Sequence, residues 1–171
     1  MTTALRTLWD LTSVLRPDAL VCALDDALRR QLVQESELQA EAGPRAGSPG
    51  VAAFRTAVAR ADGRAESPLE TLTRLVLVPH LPLVPQVPVR APGLVARIDL
   101  GDPQVRFGVE ADGRAAHAGE LMVRRDRERE RRLAAYGWAL ERCGWHEVRC
   151  RPDALRERVQ RAWQAQTVAR R

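Results

Sequence analysis

Two stretches of this chain, residues 94–100 and 105–112, alternate apolar and polar side chains with the period of two that a strand sustains. Leu94, Ala96, Ile98 and Leu100 fall on one side of the first, and Val105, Phe107, Val109 and Ala111 on one side of the second. A short stretch containing Gly101 and Pro103 separates them, so they read as an antiparallel hairpin. The surroundings carry helical patterning instead. Residues 1–42 read as two or three helices, one of them with Asp18 ahead of an apolar run that continues at Ala27, Leu28 and Leu32. Residues 43–50 are a Gly/Pro linker, and residues 51–61 are helical in pattern. Ser67-Pro68-Leu69-Glu70 opens a further helix that runs to about residue 78. Residues 83–89 are apolar but hold Pro85 and Pro88, which suits an edge strand. After Gly119 a long Arg/Glu helix runs to about Tyr136, a short strand spans 139–143, and a last helix begins near Asp153. That order of elements is an α/β layer arrangement.

The chain of 171 residues is long enough for an ordinary core, and 45% of it is apolar. No window approaches the roughly 18 consecutive apolar residues of a membrane helix. The first residues lack a signal peptide's basic start and apolar run, so no membrane partner and a cytoplasmic location are expected. Cys22, Cys143 and Cys150 are odd in number and unpatterned, which suggests neither a disulfide framework nor a zinc site. All 27 basic residues are arginine, a usage that genomic base composition explains. Their placement carries more information. From Gly113 onward there are 15 Arg against 8 acids, whereas residues 1–112 hold 12 Arg against 14 acids. A basic C-terminal third suits a polyanion, and it equally suits a solvated helical face.

If both apolar faces of the hairpin enter one core, Asp99, Glu110 and Asp112 share the opposite face. Register then sets their separation. A turn at 101–104 leaves Asp99 about four residues, or roughly 13 Å, short of Glu110. A turn at 103–106 puts Asp99 directly opposite Glu110, and Pro103 suits either turn. Clustered carboxylates repel one another unless a cation or proton lies among them, and oxygen ligands suit Mg²⁺. The plainer reading is a solvated polar face with ordinary alternation.

Taken in order, Ser67-Pro68-Leu69-Glu70, Arg97-Ile98-Asp99-Leu100, Val109-Glu110-Ala111-Asp112-Gly113, His117, Arg125-Asp126-Arg127-Glu128-Arg129 and Tyr136-Gly137-Trp138 form a series. It resembles the actinobacterial endonuclease-like domain related to very-short-patch-repair endonucleases, in the PD-(D/E)XK nuclease superfamily. The resemblance covers about residues 60–165. Longer relatives of that kind are described as abortive-infection antitoxin-like and carry an N-terminal winged helix; this chain begins too late for one.

The resemblance implies a three-layer, restriction-endonuclease-like α/β domain with a small mixed sheet at 51–171, preceded by a helical arm and linker at 1–50. It implies a divalent-metal-dependent DNA endonuclease with Mg²⁺ or Mn²⁺ as cofactor. Asp99 and Glu110 would be metal ligands, Glu70 a further acidic ligand from the first core helix, and His117 a proton-transfer group. Asp112 stands where the superfamily usually has lysine, which this chain lacks throughout. Ala116 replaces an aromatic residue common in relatives. Arg125, Arg129 and Arg132 share a helix face and would meet DNA phosphates.

Other readings stand beside these. Glu70 is also the capping-box residue of its helix. The charged run 124–132 also reads as a solvated face laced with ion pairs such as Glu128–Arg132. The runner-up to the endonuclease, favoured by the missing lysine and by Ala116, is a catalytically silent DNA-binding or antitoxin-like interaction module. The arm suggests a homodimer, and a third reading is an assembly protein with no nucleic-acid role.

Overall fold

The computed structural model describes residues 2–42, 47–113 and 120–170. They form an α/β fold with a small mixed sheet and divide into two compact units, Met1–Leu75 and Val76–Arg171.

The first unit contains α1 (Ala4–Asp10), a 3-10 turn (Leu11–Ser13), α2 (Pro17–Arg29), α3 (Glu35–Ala42), α4 (Val51–Val58) and most of α5 (Pro68–Leu77). In α2, proline occupies the first turn and Asp18 meets the positive end of the helix dipole. Its stripe of Leu20, Val21, Leu24 and Ala27 is buried with Leu8, Trp9, Leu38 and Phe54. The Trp9 and Phe54 rings meet at 5.2 Å, tilted by 54°. Asp25 lies buried beside this stripe, and Thr71, the backbone N–H of Asp62 and Arg74 all donate to its carboxylate. Composition places the domain boundary in the linker at 43–50, but the compact units divide later, inside α5. The reason is packing: α4 lies on α2 and α3 and commits Phe54 and Ala57 to their core.

The second unit holds β1 (Val84–Ala91), β2 (Leu94–Asp102), β3 (Phe107–Ala111), α6 (Glu120–Ala135), β4 (Ala139–Cys143), α7 (Trp145–Cys150) and α8 (Pro152–Ala169). The sheet order is β1-β2-β3-β4, antiparallel except that β4 runs parallel to β3 after the α6 crossover. β1 is an edge strand, where Pro85 and Pro88 cost least. Helix α7 is not legible in the sequence. No helix among the described residues is long and apolar enough to cross a membrane.

The hairpin turn falls at 103–106, so Leu100 pairs with Val109 and Asp102 with Phe107. The expected single apolar face does not form. Gly101 pairs with Gly108, and a Cβ on either would press against the same side of the sheet, at 3.1 Å from Val87 and 2.6 Å from Ile98 respectively. Ile98 therefore shares a face with Gly101, and Leu100 points the opposite way. The alternation of β2 slips at Asp99, and β1 slips with it. Gln86 adopts a φ of 57°, and the pairing skips both residues. One face, with Val87, Val89, Leu94 and Ile98, packs against Leu133 of α6. On the other, Val109 lies opposite Glu141, which pairs with Arg158 of α8. Each face is thus covered by a helix, giving three layers.

Candidate functional site

The slip in β2 changes where the carboxylates point. Gly108 and Glu110 lie two apart on β3, so Glu110 shares the face of Ile98 and sits under α6, not on a solvated face. The register extrapolates to Asp99 beside Glu110, as the 103–106 turn requires. Between these two residues the ladder gives way to a side chain: the backbone N–H of Ala111 donates to Asp99 Oδ2 at 2.9 Å.

Above them, Asp126, Arg129, Glu130 and Leu133 recur at the helical spacing that turns them toward the sheet. Leu133 enters the core, whereas Arg129 caps the carboxylates. Its Nη2 donates to Glu110 Oε1 at 2.7 Å and its Nη1 to Oε2 at 3.3 Å, a two-pronged bond. Nη2 also donates to the carbonyl of Arg97 at 2.8 Å, and Asp126 lies 3.8 Å from Nη1. Burial lowers the pKa of this guanidinium, but the bond to Glu110 and the charges of Glu110, Asp126 and Asp99 more than offset it, so the net shift is upward.

Arg142, absent from the expected site, is its second cation. It pairs across β3–β4 with Glu110 and donates to Asp126 and to Asp112 Oδ2 (3.1 Å), with Glu130 at 2.7 Å. The bond to Asp126 raises its pKa most, with added charge from Glu130 and Asp112. Nothing in the sequence marks Arg142, because a parallel register across a crossover helix has no local signature. The i,i+4 pair Asp126 and Glu130 is the available hint.

The remaining expected residues disperse. Glu70 belongs to α5 of the first unit, where its Oε2 accepts from the Glu66 N–H and its Oε1 from the Ser67 hydroxyl, while Ser67 Oγ accepts the Glu70 N–H. This is a variant of the capping box, in which the glutamate accepts from the N–H one residue before the cap. His117 lies outside the described residues. Arg132 donates to Glu128, the expected i,i+4 partner, and to the carbonyl of Gly93. Glu110 spends both oxygens on Arg129, and Asp112 gives one to Arg142. Among the described residues no three His, Cys, Asp or Glu side chains gather so as to hold a metal ion.

Beside the carboxylates, an open groove of about 1080 Å³ runs between α6 and the β1–β2 turn. Gly93, Leu94 and Val95 form one wall, and Arg124, Arg125, Arg127, Glu128, Arg129, Arg131 and Arg132 form the other. Arg124, Arg125, Arg127 and Arg131 are exposed and make no ion pair with any described residue.

The chain is 36% identical over 149 residues to uncharacterized proteins of two strains of Mycobacterium tuberculosis, covering 85% of this chain and 55% of each relative. It thus spans about half the length of the curated relatives it matches. No family model matches it. No solved structure matches it.

Proposed function

We propose that this chain is a DNA-binding module on a nuclease-like core, whose carboxylates serve to hold arginines in place. One observation carries the reading: six arginines line one open groove, and four of them have no carboxylate partner among the described residues. Unpaired guanidinium groups spaced along a helix complement a phosphodiester backbone, which offers a regular row of anionic oxygens. The strand order, with an antiparallel β1-β2-β3 meander, a crossover helix and a parallel β4, supports the resemblance to the nuclease domain. The spent oxygens of Glu110 favour the silent form of that domain.

The active, metal-dependent endonuclease is the second reading, favoured by the register that sets Asp99 beside Glu110. A metal would take its ligands from Asp99 and Glu110 and would supply a polarised phosphoryl oxygen and an activated water. On that reading Arg129 must first leave Glu110.

The test is binding of the full chain to a short DNA duplex in EDTA across a salt series, followed by incubation with Mg²⁺ or Mn²⁺. The silent reading expects log K to fall with log salt at a slope near −3 to −4, about 0.9 for each phosphate neutralised, and intact duplex afterwards. Cleavage that Asp99→Asn abolishes would establish the endonuclease instead. No binding at low salt overturns both, and light scattering in the same buffer reads any self-association through residues 1–50.

A further inference from the structure

Arg129 serves two surfaces. Its stem lines the groove with Arg125 four residues before it and Arg132 three after, yet its guanidinium is drawn under the helix to Glu110. A carboxylate and a phosphate present the same chemistry to a guanidinium: two coplanar anionic oxygens that accept a forked pair of N–H bonds. The Nη1/Nη2 fork of Arg129 goes to Glu110 and the second Nη2 hydrogen to the carbonyl of Arg97, which leaves no complete fork for a phosphate.

We infer that Glu110 is a built-in phosphate mimic, an autoinhibitory contact that withholds Arg129 from the groove until a polyanion draws it away. The inference rests on the DNA-binding reading above. The strand fixes Glu110, which is half-buried on β3 and opposite Arg142 of β4, so the carboxylate cannot follow the arginine outward. Arg129 is the partner with the longer stem, and it already lines the groove. Its departure has a cost, because Glu110 is then left beside Asp99 with one counter-charge fewer. That cost is subtracted from the affinity of every polyanion the groove binds. Arg142, bonded to Asp126 and facing Glu130 and Asp112, stays behind as the cluster's remaining cation.

Removing the charge of Glu110 should therefore strengthen DNA binding, and only through Arg129. The experiment is a double-mutant cycle on the full chain, read by fluorescence anisotropy with a labelled duplex in EDTA. Glu110→Gln is expected to bind on the order of tenfold more tightly at low salt, with a salt slope steeper by about 0.9. Arg129→Ala is expected to bind more weakly than wild type, and Glu110→Gln with Arg129→Ala no more tightly than Arg129→Ala alone. A gain from Glu110→Gln that persists in the Arg129→Ala background would show plain repulsion between the carboxylate and DNA, and would overturn the inference. So would no gain at all in a Glu110→Gln variant whose circular dichroism and melting match wild type. Glu110→Asp, which keeps the charge on a shorter arm, separates charge from packing and is expected to stay close to wild type. If wild type and all variants fail to bind the duplex, the DNA-binding reading falls as well. If wild type binds with a steep slope and the cycle shows no coupling, the mimic alone falls.

Discussion

Gly108 shows how one side chain's absence permits the sheet. A Cβ there would sit 2.6 Å from Ile98 Cγ2 and 2.8 Å from Leu140 Cδ2, between strands that flank it on both sides. Gly108→Ala is expected to lower stability by about 1–3 kcal/mol in urea denaturation, since the fully buried Ile98, branched at Cβ, has little room to retreat. Asp25 is the corresponding polar case. It is 1% exposed and bonded to Thr71, Arg74 and the Asp62 N–H. Burial raises its pKa above the ordinary carboxylate value against the pull of those donors. A raised folded value means the native state keeps the proton longer. The stabilisation linked to it is complete below the ordinary value and is lost as pH rises through the folded one. Asp25→Asn removes the titrating carboxyl and with it this loss. The urea midpoint of wild type should fall relative to that of Asp25→Asn as pH rises across that window.

Among the helices and strands, helix ends carry the local energetics. Glu70 closes the start of α5 by accepting from Glu66 and Ser67, so Glu70→Ala is expected to lower stability by about 1 kcal/mol, measured by melting without metal. Gln31 lies just past the end of α2 with a φ of 56°, and its exposed side chain bonds to no described residue that would hold it there. Gln31→Gly is expected to raise stability by about 1 kcal/mol, because glycine adopts that conformation without a steric penalty. Strand β2 is the contrasting element. Its alternation is plain in the sequence, but the slip at Asp99 is not. A left-handed Gln86 on the neighbouring strand and a helix on each face decide it, and neither is written in the strand itself.

Over the full chain, charge divides unevenly between the two units. Residues 1–75 hold 9 Arg against 10 acids, net −1, and residues 76–171 hold 18 Arg against 12 acids, net +6. The arginines also differ in engagement. Arg29 and Arg30 both reach Asp26, whereas Arg124, Arg125 and Arg131 face the groove without a carboxylate among the described residues. Replacing Arg29 and Arg30 with Gln should leave duplex affinity and salt slope unchanged. Replacing Arg124, Arg125 and Arg131 with Gln should flatten the slope by about 0.9 for each phosphate left without its arginine, in the same anisotropy titration.

The order of the strands and of the helices other than α7, the edge position of the proline-bearing β1, the cap of α5 and the Glu128–Arg132 pair are legible in the chain alone. Each of these depends on residues within a few positions of one another. The chain also narrows the hairpin to two registers, and Pro103 allows both. Folding chooses between them and turns Glu110 toward α6. It also brings in Arg142 from a strand reached only through a crossover helix, and gives the Glu110 oxygens to Arg129, 19 residues away in the chain. The physical reason is that local periodicity fixes which side chains alternate. Which of them meet depends on the pairing of distant strands and on the helix that packs over them.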